Sequence, residues 1–154
     1  MSTQDVGKLR FQIRPSPVLA DHRPLFKISP ILLILEISSR SGRSSLPRLQ
    51  LFSWAMRKTV RQNALIAAAE SSQLAVQAWG FDPALVIALK FACAEQLIRP
   101  VSTGYEITDR GTLFIKDINK NADLLADEKL FLHRIGKKIT ETMVNAVVES
   151  WRNE

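Results

Sequence analysis

A single cysteine, Cys93, excludes an internal disulfide framework and argues for a reducing compartment, expected to be the cytoplasm. Histidine is nearly as scarce: His22, His133 and that one cysteine cannot complete a structural zinc site of the usual ligand spacing. Neither GxxxxGKS/T nor GxGxxG occurs, so the glycine-rich loops that cradle nucleotide phosphates are absent. Long apolar runs are missing too. The longest run of large aliphatic residues is Ile31–Leu35, against the roughly 20 residues that span a bilayer. No apolar segment closely follows the first charges, as a secretory signal would require. The sequence therefore predicts no membrane, no metal, no cofactor and no small-molecule substrate.

What remains is an ordinary soluble composition with an uneven charge distribution. Hydrophobic residues make up 46% of the 154 and the formal net charge is +6. Residues 1–61 hold 11 Lys or Arg against three acidic residues, a balance of +8, whereas residues 62–154 hold 10 against 12. A basic first part joined to a nearly neutral second part implies an acidic partner, either nucleic acid or protein.

The most legible stretch is Asp82–Ile115, DPALVIALKFACAEQLIRPVSTGYEITDRGTLFI. Asp82 is a favourable N-cap, and Pro83 occupies the first helical position, where its missing N–H costs nothing. Leu85, Val86, Leu89, Phe91 and Ala92 carry a helix up to Leu97. Ile98–Val101 and Tyr105–Ile107 then flank Ser102-Thr103-Gly104, a turn in which Gly104 can take positive φ. Thr108 caps a further helix with Leu113, Phe114, Ile115 and Ile118 on its apolar side. Helix, hairpin, helix is the grammar of a winged helix-turn-helix domain.

Around this stretch the pattern is mainly helical. Residues 1–27 read as an extended arm, interrupted by Pro15, Pro17 and Pro24, that either wraps on its own domain or docks on a partner. Residues 28–154 read as a winged-helix-like domain with a C-terminal helical extension. Ser29-Pro30 opens a central helix through Ile31–Ile37, apolar nearly all round. Ser38–Ser45 reads as a polar loop, Leu46–Arg57 as a second helix and Asn63–Ser72 as a third. Leu74, Val76 and Trp79 suggest a short strand or extended segment. Leu124–Ile135 forms a helix stopped by Gly136, and Thr140 caps a last helix through Trp151.

Chemistry is sparse. Cys93 lies between Ala92 and Ala94, where an inert thiol is expected. Asp127-Glu128-Lys129 reads as a solvated helix face rather than part of a metal-dependent nuclease site. Nucleic-acid binding is the stronger alternative, yet the Asp82 helix offers only Lys90, Glu95 and Gln96 for reading bases, and the wing carries no charge. The cations lie elsewhere. Arg40, Arg43, Arg48, Arg57, Lys58 and Arg61 could hold DNA backbone without reading sequence, or simply form a solvated face. Reversing Arg57, Lys58 and Arg61 to Glu is expected to abolish DNA retention and leave the fold intact. In the arm, Phe11, Ile13 and Leu25 are the candidate protein anchors.

In order, LFKISPILLILEISSRSGRSSLPRLQLFSWAMR, GFDPALVIALKFACAEQLI, YEITDRGTLFIKDI and IGKKITETMV resemble the small middle component of ABC-three-component systems. These are bacterial operons allied to Lamassu-type anti-phage and anti-plasmid defences. The resemblance spans about Pro24–Trp151. It implies a non-enzymatic winged-helix subunit that bridges an SMC-like ABC ATPase and an effector nuclease of the same operon, and helps restrain the effector until foreign DNA is detected. It transfers no catalytic residue. The alternative is a small winged-helix DNA-binding transcriptional regulator.

Overall fold

The computed structural model of the protein describes residues 24–153, with side chains from Ile28 onward. The chain is mainly helical, with seven α-helices and one small antiparallel sheet among the described residues. Everything is arranged around α1 (Pro24–Ser38). Ile28, Ile31, Leu32, Leu33, Ile34 and Leu35 are at most 2% exposed, so the helix is buried all round, as its continuous apolar run requires. Its start differs from the expected one. The helix begins at Pro24 and Pro30 lies inside it, so residues 24–27 are helical rather than extended. An interior proline forfeits one helical hydrogen bond and costs about 3 kcal/mol. Burial of the apolar side chains on both flanks of Pro30 offsets that cost.

After α1 the polar segment is more structured than a loop. A 3-10 turn (Arg40–Gly42) leads into strand β1 (Arg43–Ser44), with Ser41 and Gly42 in the left-handed region at φ 57° and 68°. Helices α2 (Leu46–Met56) and α3 (Thr59–Ser71) follow, α2 capped by the Ser45 hydroxyl, which accepts from the Arg48 amide at 3.3 Å. Residues 73–82 form no strand. They run as an irregular crossing pinned by Trp79, whose Nε1 donates to the Pro47 carbonyl at 2.9 Å. Trp151 stacks edge-on against Trp79 at 4.9 Å and donates to the Gln77 carbonyl, fastening the last helix to this crossing.

Helix α4 (Pro83–Ala94) starts as the sequence dictates, with Asp82 Oδ1 accepting from the Ala84 amide at 3.0 Å. It ends three residues before Leu97. Gln96 takes a left-handed conformation (φ 63°), and the Leu97 amide reaches back to the Ala92 carbonyl at 2.9 Å. Together with the Gln96 amide donating to Cys93 O, this is a Schellman ending without the usual glycine. Strands β2 (Ile98–Val101) and β3 (Gly104–Ile107) form the expected hairpin, with Ile98 opposite Ile107 and Val101 opposite Gly104. Strand β1 adds to the other edge of β3, giving the order β1-β3-β2. Helices α5 (Asp109–Asn119), α6 (Ala126–Ile135) and α7 (Glu141–Arg152) complete the chain. Thr108 and Thr140 cap α5 and α7 through their hydroxyls, as their positions predict. The core is one cluster, drawing on Phe52, Leu65, Leu85, Leu89, Ile98, Ile115, Leu132 and Val144 around α1. None of the described helices is long and apolar enough to cross a membrane.

Glu106 sits at the centre of the sheet, directly opposite Arg43 on β1 and Arg99 on β2. Its carboxylate pairs with Arg43 Nε at 3.0 Å and with Arg99 Nη2 at 2.9 Å. Hydrogen bonds from Arg43, then Arg99, hold its carboxyl below the ordinary glutamate range. A carboxyl with a lowered folded-state pKa stabilises fully above its unfolded pKa and loses that contribution as pH falls through the folded value. Thermal unfolding followed from neutral pH into acid should therefore show the stability gap between wild type and Glu106→Gln closing as the pH drops. A gap that stays constant with pH would mean that the triad contributes nothing through charge.

Candidate functional site

Six basic residues are the candidates for DNA backbone or a solvated face, and α2 divides them. Arg48 and Arg57 are nine residues apart, about two and a half helical turns, so they leave α2 on roughly opposite faces and about 14 Å apart along its axis. Arg40, Arg43 and Arg48 gather near β1, while Arg57, Lys58 and Arg61 gather where α2 meets α3.

Arg48 is not a surface cation, which corrects its assignment to DNA backbone. It is 3% exposed. Its Nε donates to the Ile139 carbonyl at 2.8 Å, and Nη1 donates to the hydroxyls of Ser39 and Ser44 at 2.8 and 3.2 Å. Nη2 donates to the Ser38 carbonyl, and the guanidinium lies 4.7 Å from the Phe52 ring centre. Burial lowers its pKa to about 10, and only the charge of Glu141 pulls the other way. Every direct partner is neutral. Arg48 instead fastens the segment after α1 to the loop before α7, across a sequence separation of 91 residues.

The second group is also partly committed. Arg57 Nη2 pairs with Asp82 Oδ2 at 3.0 Å, while the other oxygen of Asp82 caps α4 and its amide donates to the buried Gln50 side chain at 2.9 Å. Arg61 donates to the Trp54 carbonyl at 3.1 Å and lies 4.6 Å over the Trp54 ring. Reversing Arg57 to Glu would set a carboxylate against Asp82 at the start of α4. A triple reversal would therefore also remove contacts within the fold, because two of the three side chains join α2, α3 and α4. Lys58 is exposed.

The first group borders a groove of about 730 Å³ between the β1 region and the start of α7. Arg40 and Arg43 line it from one segment, Thr103 from the hairpin turn, and Lys137, Thr142 and Asn145 from the α6–α7 loop and α7. The residues from the second half of the chain were not among the candidates. Lys137-Lys138 was visible in the sequence, but inside a stretch whose charges nearly cancel.

The apolar residues around most of the circumference of α4 imply burial on more than one side. The helix is buried on one, through Leu85, Ala88, Leu89 and Ala92, and leaves Ile87 59% and Phe91 41% exposed one turn apart. Lys90 and Ala94 share the exposed side. Phe81, just ahead of the cap, is 66% exposed. The turn before β3 is the uncharged Ser102-Thr103, as predicted.

Of the remaining candidates, Phe11 and Ile13 lie outside the described residues, as does the side chain of Leu25, whose backbone belongs to α1 rather than to an arm. Cys93 is half-buried, and burial pushes its thiol up, away from thiolate formation. Lys129 of the Asp127-Glu128-Lys129 segment donates to the Asn121 carbonyl at 3.1 Å, tying α6 to the end of α5, and His133 is exposed. Among the described residues no group of three His, Cys, Asp or Glu side chains is placed to share a metal ion. No protein-family model, curated protein or solved structure matches this chain.

Proposed function

We propose that this chain is a non-catalytic bridging subunit of a bacterial defence complex. In this reading it links an SMC-like ABC ATPase to an effector nuclease of the same operon and restrains the effector until foreign DNA arrives. The observation that carries the reading is the outer face of α4. In a winged helix the helix feeding the hairpin is the one that reads bases, and reading them takes Arg, Asn, Gln or Lys. Here that face presents Ile87 and Phe91 with Lys90 as its one cation, beside an uncharged turn. Apolar and aromatic side chains exposed on a rigid helix suit a protein partner. The order β1-β3-β2, with α4 leading directly into the hairpin, supports the winged-helix reading on which this comparison rests. The regulator alternative needs several base-reading groups, and the outer face of α4 offers only Lys90.

The test is co-expression with the neighbouring genes, purification through this chain at moderate salt, and identification of what co-elutes. An ATPase and an effector in fixed ratio are expected. Ile87→Glu with Phe91→Glu should weaken the complex by about a hundredfold or more, since each buried apolar side chain contributes about 1.5–3 kcal/mol. The double variant should keep its helical content, because both side chains already face solvent. Recovery of a lone chain, or of an undiminished complex with the double variant, would refute the reading.

A further inference from the structure

We infer that the groove between β1 and the start of α7 binds the phosphodiester backbone of duplex nucleic acid, without reading sequence. This stands independently of the bridging role and uses a different face from α4.

Three observations converge on the groove. Its rim carries cations available to a ligand: among the described residues neither Arg40 nor Lys137 makes an ion pair, and Arg43 is 56% exposed although it shares Glu106 with Arg99. Its floor is Arg48, a buried cation whose hydrogen-bond partners are two carbonyls and two hydroxyls, so its charge is not cancelled by direct pairing. Among the described lining residues the one carboxylate, Glu141, accepts from the Ser45 amide at 2.9 Å, and its single charge is outnumbered by Arg40, Arg43, Arg48 and Lys137. A buried positive charge under a concave, cationic rim focuses potential into the groove and raises the local concentration of anions.

The rest of the lining identifies the anion. Thr103, Thr142 and Asn145 add neutral donors to the guanidinium and ammonium groups, the mixture that holds phosphate oxygens along a backbone. Among the described residues no aromatic side chain lines the groove, so these residues give bases nothing to stack on. An acidic protein segment fits less well. Tight peptide sites are built around an apolar or aromatic anchor pocket, and the one large apolar lining residue, Ile139, is fully buried. The α2–α3 cluster is the weaker candidate on this molecule, because Arg57 and Arg61 are engaged within the fold.

The full chain is titrated against a short labelled duplex of mixed sequence, with anisotropy read from about 50 to about 200 mM salt. Wild type should bind with strongly salt-dependent affinity. Arg40→Glu with Lys137→Glu should weaken binding about tenfold or more and flatten the log–log salt slope by about 2, two phosphate contacts being lost at about 0.9 each. Arg40→Gln with Lys137→Gln should flatten the slope equally with a smaller loss of affinity. Lys58→Glu, at the far end of α2, should change affinity by no more than about twofold. No wild-type binding at the lowest salt, an unchanged slope in both double variants, or an equal loss with Lys58→Glu would overturn the inference. So would binding of polyglutamate, lost in the double reversal, in place of duplex: the groove would then be a site for an acidic protein segment.

Discussion

Arg48→Ala is expected to lower the free energy of unfolding by about 3 kcal/mol, and Arg48→Lys to recover little of it. The substitution leaves the carbonyls of Ser38 and Ile139 and the hydroxyls of Ser39 and Ser44 without their donor, all in buried or part-buried surroundings. Each buried polar group left unsatisfied costs about 1–3 kcal/mol. Losing the guanidinium over Phe52 adds a packing term. Against these stands a gain. Arg48 carries its charge at neutral pH in both folded and unfolded chains, and its desolvation, visible in a pKa lowered to about 10, is relieved on removal. The donors win because they serve four acceptors at once from a rigid fork. Lysine keeps the charge but, as a point donor on a flexible stem, cannot span that set. For a chain of this size the midpoint should fall by roughly 10 °C. A thermal or urea transition checks it, and a loss below about 1 kcal/mol would show that water replaces the guanidinium. Because Arg48 holds the α6–α7 loop that carries Lys137, Arg48→Met should also blunt the groove's affinity for duplex, even though Arg48 itself touches no ligand.

The same residue shows where sequence reading stopped. An arginine in the first turn of a helix, just after a polar, serine-rich loop, looks solvated, and nothing within ten residues of Arg48 indicates that a carbonyl 91 residues away will meet its Nε. Strand β1 was missed for a related reason. Two residues have no period, and their pairing with Glu106 and Tyr105 spans more than 60 positions. By contrast, Asp82, Thr108 and Thr140 were legible because a cap is a local event, settled between a side chain and an amide two or three residues on. The hairpin was legible for the same cause. Helix ends without a local signal went wrong: α4 stops on a left-handed glutamine, and α1 runs through a proline that burial outweighs. For the candidate surfaces, the apolar excess of α4 was readable and its exposure was not. Whether an apolar position faces the core or solvent depends on which neighbours the fold brings to it.

Gly111→Ala offers the sharpest test of that distinction, because local and tertiary physics predict opposite signs. Within a helix, replacing glycine by alanine should stabilise by about 1 kcal/mol. Gly111 lies in the first turn of α5, where its amide donates to the Thr108 hydroxyl at 3.0 Å. A Cβ there would stand 2.2 Å from the Leu97 carbonyl oxygen and 2.7 Å from Ile107 Cγ1. That carbonyl accepts from both the Thr108 amide, at 3.1 Å, and the Thr108 hydroxyl, at 3.0 Å, so moving it loosens the cap of α5 and the end of α4 together. Overpacking of this kind costs about 1–3 kcal/mol, and after the helix gain of about 1 kcal/mol the net change should be destabilising by about 1 kcal/mol. Gly104→Ala meets a parallel obstacle, with a Cβ 2.1 Å from the Ser44 carbonyl oxygen and 2.7 Å from Ser45 Cα, at φ 153°. The turn alone would ask only for a permissive φ. The contact asks for no side chain at all, because β1 crosses directly beside it. Denaturant midpoints of the two variants decide the matter. A stabilised Gly111→Ala would mean that α5 stands off from the α4 ending, and an unchanged Gly104→Ala would mean that β1 does not lie on β3.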